Sequence, residues 1–198
     1  MRTSELFGQA TAHALARVTE CRFLARALAE HGASRGLVRR LRRAARVKAR
    51  HARALGELAR RMGAELAPTS RSRGKPRPSL GDLAARVARE GVVRETFGAL
   101  LAAWQAEHAE DRDVRDVMRV VAAEDAELAG LSWEVARWLD ARVSPEDRAR
   151  ARDARDRALA ELAREIDHLR ELPRAAGLPS GDDARALFGC ATRHLFAA

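Results

Sequence analysis

Apolar residues recur every three or four positions along most of the chain, which is the spacing of one face of an α-helix. The first such segment runs from about Ser4, the expected N-cap, to His31, and we expect Gly32 to end it. Its apolar face comprises Phe7, Ala10, Ala14, Val18, Cys21, Leu24 and Leu28.

A second helical segment begins at about Ser34 or Arg35 and runs to Met62, just before Gly63. Its inward stripe includes two polar side chains, and it reads Leu37, Leu41, Ala44, Lys48, His51, Leu55, Leu58 and Met62. The following stretch, Ala64–Ser79, carries three prolines and four basic residues, so it is predicted to be a long connector.

Three more long helices and one short helix are predicted in the rest of the chain. The third covers about Ser79–His108 and the fourth about Asp113–Ala141. The segment Ser144–Asp147 supplies an N-cap, a proline and two acids, which indicates the start of a fifth helix ending near Pro173. A short helix is expected over Asp182–Phe196. Since no stretch alternates apolar and polar residues in the manner of a strand, the predicted fold class is all-α.

Two helical hairpins joined by a long connector predict a four-helix bundle with a long crossover between helices 2 and 3. That connectivity is typical of ferritin-like folds. We therefore expect a single domain over residues 1–198, with the bundle at about 4–141 and the C-terminal helices at about 144–196.

The net charge of +9 comes from one short block. Nine basic residues and no acid lie between Arg35 and Arg53, and the remaining chain has 28 basic and 28 acidic residues. Apart from Lys48, the block projects largely outward, and its basic face includes Arg39, Arg42, Arg43, Arg46 and Arg50.

The same sequence also indicates where in the cell the protein is expected. There is no run of about 18 uncharged apolar residues, so no transmembrane helix and no membrane partner are expected. Met1–Gln9 lacks the pattern of a signal peptide. Cys21 and Cys190 are expected to be two thiols in a reducing cytoplasm.

Four polar residues interrupt the inward stripes near the middle of their helices: Lys48, His51, Glu95 and Asp125. Bundles build cofactor sites from such positions, although an inward histidine is more often a hydrogen-bonded core residue. An inward lysine is costly without a partner, so Lys48 should be paired or should extend to the surface.

Five segments resemble a bacterial branch of the ferritin-like di-iron carboxylate superfamily. Arg94–Ala99 matches a typical third-helix segment closely, and Leu131–Trp133 matches the context after the fourth-helix ligands. Val47–Ala52 and Glu124–Ala129 occupy the ligand segments of helices 2 and 4. The tail Gly177–Pro179 with its short last helix also matches, so the resemblance covers nearly the whole chain.

The resemblance implies a metal site that is at most half intact. His51 and Glu95 match di-iron ligand positions, and Asp125 is a shorter carboxylate where Glu is usual. Lys48 stands at the position of a bridging Glu, and Leu128 at that of the second His. The first-helix Glu position, counted back from the helix end, falls on Ala14, with His13 and Glu20 as nearby polar candidates.

The favoured reading is a ferritin-like bundle with a degenerate site, no cofactor, no enzyme activity and a structural or interaction role. In that reading Lys48 forms an internal ion pair with Glu95, Asp125 or both. Its partner would be another protein or a second copy of the chain. The first alternative is a redox or iron-handling protein that holds one iron, manganese or zinc ion with His51, Glu95, Asp125 and Glu20 or His13.

The second alternative is nucleic-acid or anionic-surface binding through the basic second helix. A basic helix can neutralise phosphates, but no recognition motif and no stacking aromatic accompanies this one. The competing expectation is that the outward arginines pair with acids of neighbouring helices. The candidates are Glu161, Glu165 and Asp167 on the fifth helix and Asp111, Asp113 and Asp116 at the start of the fourth.

Overall fold

The structure is a computed structural model that describes residues 2–64, 78–167 and 174–196, and in these ranges it is all-α, with no strand. Its elements in chain order are α1 Thr3–Glu30, α2 Arg35–Arg61, α3 Leu80–Arg86, a π-helical segment Val87–Glu95, α4 Thr96–His108, α5 Arg112–Asp140, α6 Pro145–Asp167, a 3-10 turn Arg174–Ala176 and α7 Gly181–His194.

The chain divides into two compact units, Met1–Ser79 and Leu80–Ala198, which we describe separately. The single domain expected over residues 1–198, and the ferritin-like connection of its helices, stay predictions. Most of the expected connector, residues 65–77, and the expected end of the fifth helix near Pro173 lie outside the described residues.

The first unit is an antiparallel hairpin of α1 and α2. Gly32, at φ +81°, ends α1 because the left-handed conformation carries no Cβ penalty there. The Ala33 N–H donates to the Leu28 carbonyl at 2.9 Å, which satisfies one of the last carbonyls of the helix. Ser34 then caps α2, since its Oγ accepts the Leu37 N–H at 3.2 Å.

The two ends of the hairpin away from this turn differ in how well the sequence predicts them. Gly63, at φ +83°, ends α2 as expected. The expected N-cap of α1 is wrong: Ser4 lies inside the first turn, and Arg2 is the N-cap. The Glu5 carboxylate accepts the Arg2 backbone N–H at 3.0 Å, so a carboxylate satisfies the helix start instead of a serine hydroxyl.

The second unit is built on one continuous helical run from Leu80 to His108, which includes the π-helical segment Val87–Glu95. This run corresponds to the predicted third helix, but its π-helical part is not foreseen by the apolar spacing. A Cβ added to Gly91 would lie 3.1 Å from the Ser132 Cβ, so α5 packs closely against this segment. π-helical turns are rare in proteins, and many of those that are known lie at functional sites.

The predicted fourth and fifth helices are α5 and α6, which begin at capped positions. Asp111 accepts the Val114 N–H at 3.1 Å, and Ser144 accepts the Asp147 N–H at 3.1 Å. α6 packs against the 80–108 run through a core of Val93, Phe97, Ala158, Leu162, Ile166 and Ala184. Burial of this apolar surface is the main stabilising contribution to the unit.

The C-terminal segment packs against the same unit through a left-handed turn at Gly177, where φ is +65°. The Gln105 side chain, which is buried, donates to the Ala176 carbonyl at 2.8 Å. After this turn, α7 carries Phe188 against Phe97, with ring centroids 5.9 Å apart in an edge-to-face arrangement. The predicted last helix is therefore present, at Gly181–His194 instead of 182–196.

Candidate functional site

Lys48 and His51 lie on the buried face of α2 at positions i and i+3. Their exposed fractions are 6% and 3%, which is unusual for a lysine. The neighbouring positions on this face are alanine or leucine, including Ala44 and Leu55. The apolar stripe of α2 thus places an ammonium and an imidazole one helical turn apart inside the first unit.

The facing helix α1 buries two further charged residues, Glu20 and Arg17. Ala14, at the expected first-helix ligand position, is buried, and Glu20 is buried with 7% exposure. His13 is exposed, because a shift of one residue rotates a helical side chain by about 100°. His13 therefore does not face inward, so the structure does not place it where the predicted metal ligand would lie.

Arg17 is a buried residue that sequence reasoning missed, with 7% exposure. Arg17 and Lys48 stand equally far along the chain from the turn that joins α1 and α2. The only signal in the sequence is that position 17 follows Ala14 by three residues and precedes Glu20 by three. The hairpin therefore buries two cationic side chains and one carboxylate besides His51.

The second unit buries the two other polar stripe residues. Glu95 is the last residue of the π-helical segment and is 7% exposed, and Asp125 lies near the middle of α5 and is 9% exposed. Leu128, at the position of the second histidine, is half-buried. Carboxylates this deeply buried require a compensating cation or hydrogen bonds.

The two best-matching segments of the resemblance contact each other in the second unit. The Trp133 Nε1–H donates to the Thr96 Oγ1 at 3.1 Å. Arg94, the first residue of that segment, donates to the Glu165 carboxylate of α6 at 2.7 Å and has Glu161 at 3.6 Å. These contacts fix the backbone on both sides of Glu95.

The Arg94–Glu165 pair also changes the acidity of both groups. The hydrogen bond from the Arg94 guanidinium lowers the pKa of the Glu165 carboxyl below its ordinary value, although partial burial opposes this. The same hydrogen bond raises the pKa of Arg94. A pair with these shifts holds α6 against the 80–108 run more firmly at neutral than at acidic pH.

The residues present do not fit a di-iron centre. Lys48, an ammonium that cannot coordinate while protonated, and the hydrocarbons Ala14 and Leu128 take three of the six ligand positions that the resemblance implies. Within the three described ranges, no group of three or more His, Cys, Asp or Glu side chains is arranged to hold a metal ion. His51 belongs to the first unit, and Glu95 and Asp125 belong to the second.

The outward side of α2 is strongly basic. All eight arginines of the block from 35 to 53 are exposed, whereas Lys48 is buried. Several acids expected to neutralise them have partners within the second unit. Arg94 pairs with Glu161 and Glu165, Arg185 lies 3.5 Å from Asp167, and Arg119 lies 2.9 Å from Asp116.

The two units differ in the sign of their net charge. Residues 1–79 contain 19 Lys and Arg against five Glu and no Asp, and residues 80–198 contain 18 Arg against 23 acids. The first unit therefore has a formal charge of +14 and the second −5. The excess positive charge that the whole chain shows is confined to the α1–α2 unit and its connector.

Within the described residues, no helix is both long and apolar enough to cross a membrane. No protein-family model, no curated protein and no solved structure matches the chain.

Proposed function

We propose that this protein is a ferritin-like helical bundle that does not use di-iron chemistry and serves a structural or interaction role. In this proposal the Lys48 ammonium supplies the positive charge that metal ions would supply among Glu95, Asp125 and His51. The observation that carries the proposal is the burial of Lys48, at 6% exposure, one turn from His51 on the apolar face of α2.

Charge balance supports this assignment. Glu95 and Asp125 are both buried on helices of the second unit, and a buried carboxylate is expensive unless a cation or several hydrogen bonds compensate it. Replacing a carboxylate ligand by lysine changes the local charge by two units, which removes the need for a dication. In this proposal a lysine at position 48 accounts for the retention of the buried acids without a metal ion.

The contact between Trp133 and Thr96 also supports the ferritin-like reading. The two segments that most resemble the superfamily lie on different helices, and a side-chain hydrogen bond of 3.1 Å connects them. The close approach of Gly91 to Ser132 lies along the same pair of helices.

Double-mutant cycles test the ion pair with isosteric changes. Lys48→Met, Glu95→Gln and Asp125→Asn are each expected to destabilise the protein by about 3 kcal/mol, because each leaves its partner charge buried and uncompensated. Lys48→Met should couple with one or both carboxylate variants by at least about 1 kcal/mol. Additive effects would contradict the pair.

The tryptophans make this test specific to one unit. Trp104, Trp133 and Trp138 all belong to the second unit, and the chain has no tyrosine. If Lys48 pairs with Glu95 or Asp125, Lys48→Met should shift the unfolding transition seen by tryptophan fluorescence. The Glu20→Gln variant is the matched control: coupling of Lys48 with Glu20 alone, visible only by circular dichroism, would assign Lys48 to a pair within its own hairpin.

Metal analysis tests the loss of di-iron binding. Protein purified without chelators should contain less than about 0.1 equivalent of iron, manganese or zinc, since the ligand set lacks two carboxylates and one imidazole. Stoichiometric metal that is lost in His51→Ala and Glu95→Gln would contradict the proposal and favour the mononuclear alternative. Lys48→Glu with Leu128→His restores two ligands, and this double variant should bind more metal than the parent protein.

A further inference from the structure

Seven arginines of α2 form one continuous stripe on the side of the helix opposite Lys48. At about 100° per residue, they fall within an arc of about 100° on the helix surface. We call this set the arginine stripe: Arg35, Arg39, Arg42, Arg43, Arg46, Arg50 and Arg53. All seven are exposed, and the opposite side of the helix is buried in the hairpin.

The dimensions of the stripe match a regular linear polyanion. From Arg35 to Arg53 it extends about 27 Å at 1.5 Å per residue. Duplex nucleic acid carries one phosphate per strand every 3.4 Å, so this length spans about eight base pairs. Apart from the adjacent pair Arg42 and Arg43, successive stripe residues are three or four positions apart, which spaces their helix positions by about 5 Å along the axis.

The helix itself offers a nearby carboxylate to only one of these arginines, Arg53. The first acid in α2 is Glu57, four residues beyond Arg53, so no stripe residue before Arg53 has an acid of its own helix within one turn. In the second unit, Glu165 is hydrogen-bonded to Arg94, and Asp116 is hydrogen-bonded to Arg119. All seven stripe arginines are exposed, so the stripe presents concentrated positive charge at the protein surface.

The surroundings of the stripe favour nucleic acid over a lipid surface. A helix that lies in a membrane inserts an apolar face, but the apolar face of α2, including Leu41 and Leu58, is already buried in the hairpin. Guanidinium forks also bind phosphate oxygens through two parallel hydrogen bonds. The stripe contains no aromatic residue to stack on bases and no amide side chain to read their edges.

We propose that the arginine stripe of α2 binds the phosphate backbone of double-stranded nucleic acid without reading its sequence. This interaction uses the outer face of the hairpin and does not depend on the buried Lys48. The result for this proposal is therefore independent of the result for the proposed metal-free bundle centre.

The test is fluorescence anisotropy of the full chain with a labelled 20-base-pair DNA duplex between 20 and 200 mM salt. We expect binding that weakens steeply with salt, since each neutralised phosphate contributes about −0.9 to the slope of log affinity against log salt. The variant Arg39→Gln/Arg43→Gln/Arg46→Gln should lower affinity at least tenfold at low salt and reduce the slope by about 2 to 3. Circular dichroism checks that the helix content is unchanged.

A matched control removes the same charge elsewhere. Arg112, Arg119 and Arg150 are exposed residues of the second unit, and Arg112→Gln/Arg119→Gln/Arg150→Gln should change affinity less than twofold. No measurable binding at 20 mM salt, or an equal loss in both triple variants, would overturn the proposal. So would tighter stripe-dependent binding to poly-glutamate or anionic vesicles, or a tenfold preference between two unrelated duplexes.

Discussion

Gly177→Ala offers a sharp test of how the C-terminal segment is held in the second unit. Gly177 is buried at φ +65°, and a Cβ there would overlap the backbone N and Cα of Ala109, between α4 and α5. The preceding residue, Ala176, is fully buried and accepts the Gln105 Nε2–H at 2.8 Å. The new methyl group cannot be placed without moving one backbone away from the other.

The expected cost has two parts. An L-residue in the left-handed region is about 1–2 kcal/mol less stable than glycine. Restoring a normal carbon contact of about 3.5 Å at Ala109 separates the two backbones, which weakens the buried Gln105–Ala176 hydrogen bond at a cost of about 1–3 kcal/mol. We therefore expect Gly177→Ala to lower the free energy of unfolding by about 3 kcal/mol.

Urea unfolding followed by tryptophan fluorescence is the appropriate assay, since all three tryptophans lie in the unit that contains Gly177. Gly130→Ala is the matched control: Gly130 is exposed inside α5, and a Cβ there meets nothing within 4 Å. That variant should stabilise the unit by about 0.5–1 kcal/mol. A loss below about 1 kcal/mol for Gly177→Ala would refute the proposed packing of the C-terminal turn.

Three further substitutions test individual contacts. Ser34→Ala should cost about 1 kcal/mol by circular dichroism because the N-cap of α2 is lost, and Ser34→Gly should cost only a few tenths. Glu165→Gln should cost about 0.5 kcal/mol at pH 7, since the pair with Arg94 is partly exposed. Because the pKa of Glu165 is lowered, its contribution is present above the ordinary value of 4.5 and is lost as the pH falls through the lowered pKa, so the variant and the parent should converge at acidic pH. Trp133→Phe should cost about 1 kcal/mol and be non-additive with Thr96→Val, because both remove the same hydrogen bond; fully additive losses would show that this bond contributes nothing.

The helix boundaries of α2 could be predicted from sequence because their signals act locally. Ser34 bonds within three residues, and Gly63 adopts the conformation that only glycine adopts at no cost. Ser4 was a misleading signal of the same type, since Glu5 reaches back to Arg2 and starts α1 earlier. Local rules identify residues that can serve as the N-cap of a helix. They do not decide between two such residues that lie two positions apart, as Arg2 and Ser4 do.

Other features depend on contacts distant in sequence. The π-helical segment could not be predicted because its packing against Ser132 of α5 involves residues 41 positions away from Gly91. Arg17 was missed because an arginine is ordinarily exposed, and only its facing helix makes burial possible. Lys48 could be identified because a lysine within a mostly apolar stripe is visible in the sequence itself.

The arginine stripe has a consequence for folding energetics that is independent of any ligand. Like charges about 5 Å apart repel each other, and this repulsion opposes the burial of the apolar face of the hairpin. Added salt shortens the Debye length to about 10 Å at 0.1 M and relieves this self-repulsion, so moderate salt should stabilise the first unit. The same salt weakens the attraction of the stripe for phosphates. The hairpin thus requires counterions to fold most stably, and a polyanion that displaced them would act as a folding ligand for α2.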